Sequence, residues 1–289
     1  MSTIAALFVI VLPVFLLVGF GYAAVRFRVF PDTGADALIA FATNIAVPAL
    51  LFRAISQLDL SAVLKGAHLV SFYAGATAGF AGAVILARLV WGRRPGESIA
   101  VGFLALFSNS VLLGLPILGR AYGEGALEPA YAIIAIHAPY CYLLGILAME
   151  LARRDGGSVA AALRSGARTL SRNALTQAIV LGFAVNLTGI AVPGPLAEML
   201  DMLAEAALPV ALFSLGGVLT RYAIREEVGE ALMVGAFSLV IHPGIAWVVS
   251  AYVFGLAEPF VRAAVVIAAM PPGVNGYVFA AMYGRAQGT

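Results

Sequence analysis

The chain has 289 residues, 62 % of them hydrophobic and 11 % charged, with a mean hydropathy of +0.99. Soluble domains carry about 25 % charged residues, so this composition excludes a soluble globule and specifies an all-α polytopic membrane protein. The net charge of +2 says little by itself, whereas the placement of the charges says a great deal.

The first segment, Met1-Ser-Thr, carries no positive charge. The apolar run from Ile4 to Val25 is longer than a signal-peptide core and is closed by Arg26 and Arg28, so it reads as a membrane span and not as a cleavable leader. Runs long enough to cross a bilayer predict nine spans: 4–25, 34–56, 66–91, 97–119, 129–152, 173–193, 195–219, 230–256 and 259–282. The connections after the odd spans hold Arg26, Arg28, Arg88, Arg93, Arg94, Arg153, Arg154, Arg164, Arg168, Arg172, Arg221, Arg225 and Arg285. Those after the even spans hold only Arg53, Lys65, Arg120 and Arg262. Thirteen against four puts the odd connections in the cytoplasm and the N-terminus outside, in a multi-pass protein of the cytoplasmic (inner) membrane. The lone cysteine, Cys141, excludes an internal disulfide and, inside an apolar run, reads as packing.

Residues 1–289 form a single transmembrane domain in this reading. Residues 1–152 make a first repeat of spans one to five, 153–172 a basic cytoplasmic linker, and 173–289 a second, incomplete repeat of spans six to nine. Five spans per half is an odd number, so the halves are inserted in opposite orientations, as an inverted repeat requires. Two echoes at one offset of 161 residues support the division. Ala46-Val-Pro-Ala-Leu-Leu-Phe52 answers Ala207-Leu-Pro-Val-Ala-Leu-Phe213, and Ala121-Tyr-Gly123 answers Met282-Tyr-Gly284.

The ninth span is interrupted at Ala268-Ala-Met-Pro-Pro-Gly-Val-Asn-Gly276. Pro271 and Pro272 remove two backbone donors, and freed backbone groups at membrane depth belong inside protein or against a wet cavity. The fourth span carries the matching interruption, Asn109, Gly114 and Pro116 within Ile99 to Leu118. Paired interrupted spans in two halves point to a solute site near the bilayer midplane. Half-helix N-termini there favour an anion, and Asn109 and Asn275 donate to a carboxylate without adding net charge at that depth. Ser108, Ser110 and Gly273 flank the same interruptions and complete the candidate site; Met270, Val274, Val111 and Leu113 supply an apolar wall. The expected solute is a small organic anion, a dicarboxylate or an aromatic carboxylate.

Coupling to H+ or Na+ has three candidates. His137 and His242 lie in apolar runs and titrate near neutral pH when unperturbed, although a neutral histidine hydrogen-bonded to a neighbouring helix is the plainer account of each. Glu198, Asp201 and Glu205 share one helix face, and only Glu205 lies as much as two turns inside its span; an acidic mouth is the plainer account. His68, near the start of span three, reads as interfacial. Asn44 and Asn186 read as hydrogen bonds between helices.

Enzyme chemistry has little to stand on. Ser108 and Ser110 have no histidine at a pairable spacing in the sequence, and the three histidines are scattered without metal-ligand spacing. No phosphate-binding loop is present, so neither a metal, a nucleotide cofactor nor a nucleic-acid partner is expected.

Four segments in this order resemble the auxin efflux carrier family, which includes plant PIN-type carriers and bacterial malonate-type carriers. They are Asn44-Ile-Ala-Val-Pro-Ala-Leu-Leu-Phe52, Ser108-Asn-Ser-Val-Leu-Leu-Gly-Leu-Pro116, Ala206-Ala-Leu-Pro-Val-Ala-Leu-Phe213 and Ala269-Met-Pro-Pro-Gly-Val-Asn275. The resemblance implies five-plus-five inverted helices, with the fourth and ninth crossing as broken helices, as in bile-acid symporters. It implies a scaffold of helices one, two, six and seven that forms a homodimer, and a transport domain of the rest that moves as an elevator. It maps substrate contacts onto Asn109 and Asn275 and the crossing onto Gly114, Pro116, Pro271 and Pro272. The chain departs from the family in stopping at Thr289, where a tenth helix is expected, and in lacking the Asp and Lys pair of plant carriers in span three. A secondary or potential-driven carrier of small carboxylates follows. The alternatives are a sodium- or proton-coupled carrier of the bile-acid symporter type and a non-transporting membrane receptor.

Overall fold

Where water is excluded, a chain must satisfy its backbone groups within itself, and helices do this segment by segment. In a computed structural model, which describes residues 3–152, 159–221, 228–273 and Phe279, every regular element among the described residues is helical. In order these are α1 (Thr3–Arg26), α2 (Asp32–Gln57), α3 (Gly66–Leu89), α4 (Pro95–Leu106), α5 (Ser110–Tyr122) and α6 (Leu127–Ala152). They continue with α7 (Val159–Ser171), α8 (Ala174–Thr188), α9 (Gly194–Leu219), α10 (Val228–Val253) and α11 (Glu258–Ala268). Among the described residues five stretches are long and apolar enough to cross a membrane: α2, α3, Glu124–Ala152, α9 and α10. Shorter apolar helices, Val11–Arg26, α4, α5 and α8, lie in predicted spans one, four and six, and span four is two helices, α4 and α5, separated at residues 107–109. The basic connection 153–172 also contains a helix, α7. Leu163, Gly166 and Leu170 line one of its faces, and Gly166 lies so close to Ile146 that a Cβ there would meet the isoleucine side chain at 2.2 Å.

Prolines account for most local irregularities. Three widened, π-helical turns, Ala42–Ala46, Ser110–Gly114 and Phe237–Ile241, each end two residues before a proline, at Pro48, Pro116 and Pro243. A proline ring collides with the carbonyl four residues back and offers no N–H, and an extra residue in the preceding turn relieves both problems. Pro209, the counterpart of Pro48 at the repeat offset, sits in α9 with no such turn.

The chain divides into two compact units. The division cuts across the sequence halves. The first unit takes residues 1–63, 115–131 and 171–224, and so holds spans one, two, six and seven. Here α1 and α9 meet backbone to backbone: a Cβ on Gly21 would lie 1.9 Å from the Phe213 carbonyl oxygen, and one on Gly216 would lie 1.9 Å from that of Val18. Arg53 of α2 grips Asp201 of α9 with two hydrogen bonds, 2.6 and 2.8 Å. Arg221 binds Asp36 and Asp32 at the start of α2. Asn186 of α8 points its Nδ2 at the last carbonyls of α2, Ile55 at 3.0 Å, Ser56 at 3.2 Å and Leu58 at 2.8 Å. These are helix-end acceptors, of which Ile55 O also takes the Leu58 N–H at 3.3 Å. Asn186 is thus a link between helices, as expected, but Asn44 is not: its Nδ2 bonds Ala40 O at 2.9 Å, one turn back in α2. The widened turn before Pro48 leaves such an acceptor within local reach.

The second unit comprises residues 64–114, 132–170 and 225–289, and holds α3, α4, most of α6, α7, α10 and α11. Its core is built on Phe72, Phe103, Ile133, Ile146, Met149 and Ile267, all fully buried, with Phe279 stacked on Phe103 at 4.0 Å between ring centroids. Glu230 at the start of α10 is 3 % exposed and takes Arg93 in a two-bond pair, 3.0 and 2.8 Å. His68, read from sequence as interfacial, is buried edge-to-face on Phe260.

Candidate functional site

The second unit brings the interruptions of spans four and nine together. α4 ends at Leu106 and α11 at Ala268, and the extended segments that follow pair in antiparallel fashion at Ser108 and Pro272. The Asn109 N–H donates to Pro271 O at 2.9 Å and the Gly273 N–H to Phe107 O at 3.2 Å. Two prolines in succession leave this stretch of span nine with acceptors and no donors, and span four supplies the missing donor through Asn109. Each segment thereby satisfies backbone groups that would cost several kcal/mol apiece if left bare at membrane depth.

This pairing corrects one expectation. The N–H groups of Asn109 and Gly273 are consumed by it, and that of Ser110 is turned onto Ser108 O at 2.8 Å, so none of the three is open to a solute. The N–H groups of Val111 and Leu112 follow at the start of α5, where helix geometry offers no acceptor.

The side chains divide by exposure. Ser108 and Ser110 are buried, with their hydroxyls 3.0 Å apart. Asn109 between them is half-exposed, and its amide has no hydrogen-bond partner among the described residues. Gly273 lies against the Asn109 side chain, its would-be Cβ 3.7 Å from Asn109 Cβ. Gly114 permits a close approach at the other end of the widened turn: a Cβ there would come within 2.7 Å of Ile267 and 3.4 Å of Met270. Met270 and Leu113 are buried nearby in the same unit. Pro271 and Pro272 are half-buried, while Pro116 is buried in α5 and groups with the first unit. Asn275 and Val274 lie outside the described residues.

The sequence profile of the membrane transport protein family matches residues 6–289. The chain belongs to that family. The family is the auxin efflux carrier family to which the motifs pointed. The chain is 24 % identical over 276 residues to a Rhizobium meliloti protein named "Putative malonate transporter", covering 95 % of this chain and 86 % of that one. It is 27 % identical over 277 residues to an "Uncharacterized transporter" of Methanothermobacter thermautotrophicus, covering 93 % and 86 %. The molecule is therefore a multi-pass membrane transporter and not an enzyme.

The transporter's three coupling candidates fall in different surroundings. His137 of α6 is buried beside the paired segments: its Nε2 lies 3.5 Å from Ser108 Oγ, its Nδ1 3.7 Å from Cys141 Sγ, and the Phe107 ring packs 4.7 Å from its own. The separation of 29 residues between Ser108 and His137 hid this contact from spacing arguments. His242 is buried against α3, its Nε2 bonded to Phe72 O at 3.1 Å. Gly75 makes room for it, since a Cβ there would meet His242 O at 2.5 Å. Its side chain therefore serves a neighbouring helix and not the backbone beside Pro243. Glu205 is exposed on α9, in the first unit. Asp201, from the same acidic face, is held by Arg53.

Sequence reading did not single out a polar cluster next to His137. Tyr73 Oη donates to Ile133 O at 2.8 Å, Thr77 Oγ1 and Tyr140 Oη lie 2.5 Å apart, and the two tyrosine rings are 4.3 Å apart. Tyr140 follows His137 by three residues, which puts both on one helix face, and that spacing was the available signal.

Proposed function

We propose that this chain is a secondary carrier of small carboxylates, malonate-like in size and charge, whose solute site is the paired interruption of spans four and nine. The observation that carries the reading is the half-exposed Asn109 amide, without a partner among the described residues, at the edge of two segments whose backbones already satisfy each other. A carboxylate there receives a neutral donor from Asn109 and faces the positive end of α5, where the N–H groups of Val111 and Leu112 have no acceptor within their own helix. Ser108 and Ser110 fix the turn, and Met270 and Leu113 provide apolar contact. The sequence adds Asn275 from the other segment. We read the two paired segments as crossed broken helices in an inverted repeat. Malonate as the test solute draws support from the name of the Rhizobium relative.

The division into units supports alternating access, because spans one, two, six and seven group together, joined by residues 115–131, while spans three, eight, nine and the first part of four fall in the other unit, much as the family resemblance implies for a scaffold and a moving transport domain. A homodimer would use the scaffold helices, and the arginine distribution supports an N-terminus outside the cytoplasmic membrane. Among the coupling candidates, contact with Ser108 favours His137, which makes H+ the first ion to test.

The test is uptake of labelled malonate, with indole-acetate as the aromatic alternative, into liposomes reconstituted with the full chain under an imposed membrane potential. Saturable uptake that falls at least tenfold in Asn109→Ala, with the thermal midpoint held within a few degrees, supports the site. Undiminished uptake in Asn109→Ala rejects it. Uptake that responds to an imposed pH gradient in the wild type and not in His137→Gln supports proton coupling at His137.

A further inference from the structure

The first unit contains a cavity of about 550 Å³ at the C-terminal end of α1, remote in sequence from the paired interruptions. Arg26 and Arg28 lie on its wall, with Val25, Phe30, Pro31 and Asp32. Both arginines are exposed, and neither has an ion-pair or hydrogen-bond partner among the described residues. Asp32 is already engaged: its carboxylate and its carbonyl both bind Arg221, at 3.2 and 3.0 Å. The cavity therefore presents two guanidinium groups, unpaired among the described residues, over Val25, Phe30 and Pro31, with Thr220 and the engaged Asp32 beside them.

The backbone is distorted at this point. Arg28 has φ of 61°, the one non-glycine residue in the left-handed region among those described. Such a conformation costs a branched or long side chain energy that glycine would avoid, and strain of this kind clusters at ligand sites. The turn is held by Arg28 N–H to Val25 O at 3.0 Å and Phe30 N–H to Ala24 O at 3.0 Å. On either side of Arg28 stand Phe27 and Val29, 76 % and 83 % exposed. Large apolar side chains this bare beside a membrane-crossing helix suit the boundary between headgroups and acyl chains, not bulk water.

We propose that this cavity is a headgroup site for an anionic phospholipid, with Arg26 and Arg28 holding the phosphate and Phe27 and Val29 lying against the chains. Guanidinium groups bind phosphate through paired, charge-assisted hydrogen bonds. Basic pockets at the cytoplasmic ends of membrane helices take anionic headgroups. A free phosphate ester shares the headgroup's chemistry but has no use for the two exposed apolar side chains, and the test separates the two sources.

The full chain is purified, delipidated and mixed with equimolar phosphatidylglycerol and phosphatidylcholine of the same acyl chains, and retained lipid is counted by native mass spectrometry. The wild type is expected to retain phosphatidylglycerol at least tenfold over phosphatidylcholine. R26Q/R28Q is expected to lower that preference below twofold, while R88Q/R164Q, which removes two exposed arginines that do not line the cavity, keeps it. R28G is the second variant: glycine accepts the left-handed turn, so the fold is preserved, and the preference is expected to drop at least threefold. Equal retention of the two lipids by the wild type overturns the proposal, as does a preference unchanged in R28G or in folded R26Q/R28Q. Displacement of the bound lipid by millimolar sn-glycerol-1-phosphate overturns the lipid assignment in favour of a soluble anion.

Discussion

The backbone contact between α1 and α9 can be tested by adding one methyl group at a time. A Cβ on Gly21 or Gly216 would sit 1.9 Å from a carbonyl oxygen of the other helix, whereas close C–H···O contacts lie near 3.3 Å. Each alanine must therefore drive the helices apart by more than about 1 Å, against an atom that cannot rotate away. Overpacking of this kind costs up to about 3 kcal/mol, and alanine's better helix propensity returns about 1 kcal/mol, leaving a net loss of about 2 kcal/mol for G21A or G216A. At roughly 2 to 4 °C per kcal/mol, thermal unfolding in detergent should show midpoints lowered by about 4 to 8 °C. One separation relieves both clashes, so the double variant should cost less than the sum of the singles by about 1 kcal/mol or more. G19A, where a Cβ meets nothing within 4 Å, should leave the midpoint unchanged or slightly raised. A G21A midpoint equal to wild type, or strictly additive singles, would refute this account of how the two helices pack.

Other outcomes follow from particular contacts. R93Q should be worse than E230Q, because it strands a carboxylate that is 3 % exposed while the reverse leaves an arginine 23 % exposed; losing a buried pair this way costs about 3 to 5 kcal/mol, and thermal midpoints of the two variants report the order. N186A should lose about 1 to 3 kcal/mol by abandoning the carbonyls at the end of α2, whereas N44A, whose amide serves only its own helix, should stay within about 0.5 kcal/mol. R28G should raise stability by about 1 kcal/mol by removing the left-handed penalty, measured on the same scans. Asp59 accepts from the Ser61 hydroxyl and from the Ala62 and Ser61 N–H groups, which hold its pKa below the usual 3.8. Protection of the Ser61 amide in hydrogen exchange should therefore hold at neutral pH, survive through pH 3.8, and fade only as pH falls through the lowered value, whereas the Ala62 amide, which also donates to the Asp59 carbonyl, should keep its protection.

The elements that depend on local pattern were legible from the chain. Apolar run length located the helices, and Pro116 with Asn109 marked the break after Leu106. What the run of letters concealed was pairing at a distance. Arg53 and Asp201 are 148 residues apart and Arg93 and Glu230 137 apart, and no periodicity connects them. The same blindness made the N–H groups of Asn109 and Gly273 look available, since their acceptors lie in the other half of the chain. Asn44 misled for a different reason: the sequence does not reveal that the turn ahead of Pro48 is widened, which gives its amide a local acceptor. In α7 an Ala-, Gly- and Ser-rich composition masked a helix whose glycine is a packing site against Ile146, not a breaker.

The pairing of Ser108 with Pro272 also bears on how the protein is made. From Asn109 to Gly273 the ribosome must add 164 residues, which at about 5 to 20 residues per second takes roughly 8 to 33 s. Throughout that interval the Asn109 N–H and the Phe107 carbonyl exist without the partners they will have in the finished molecule. A span so exposed cannot come to rest in lipid by itself, and water or the insertion machinery must hold its centre until span nine arrives. The segment at the heart of the proposed solute path thus waits for more than half of the given sequence to be made before it finds its final bonds.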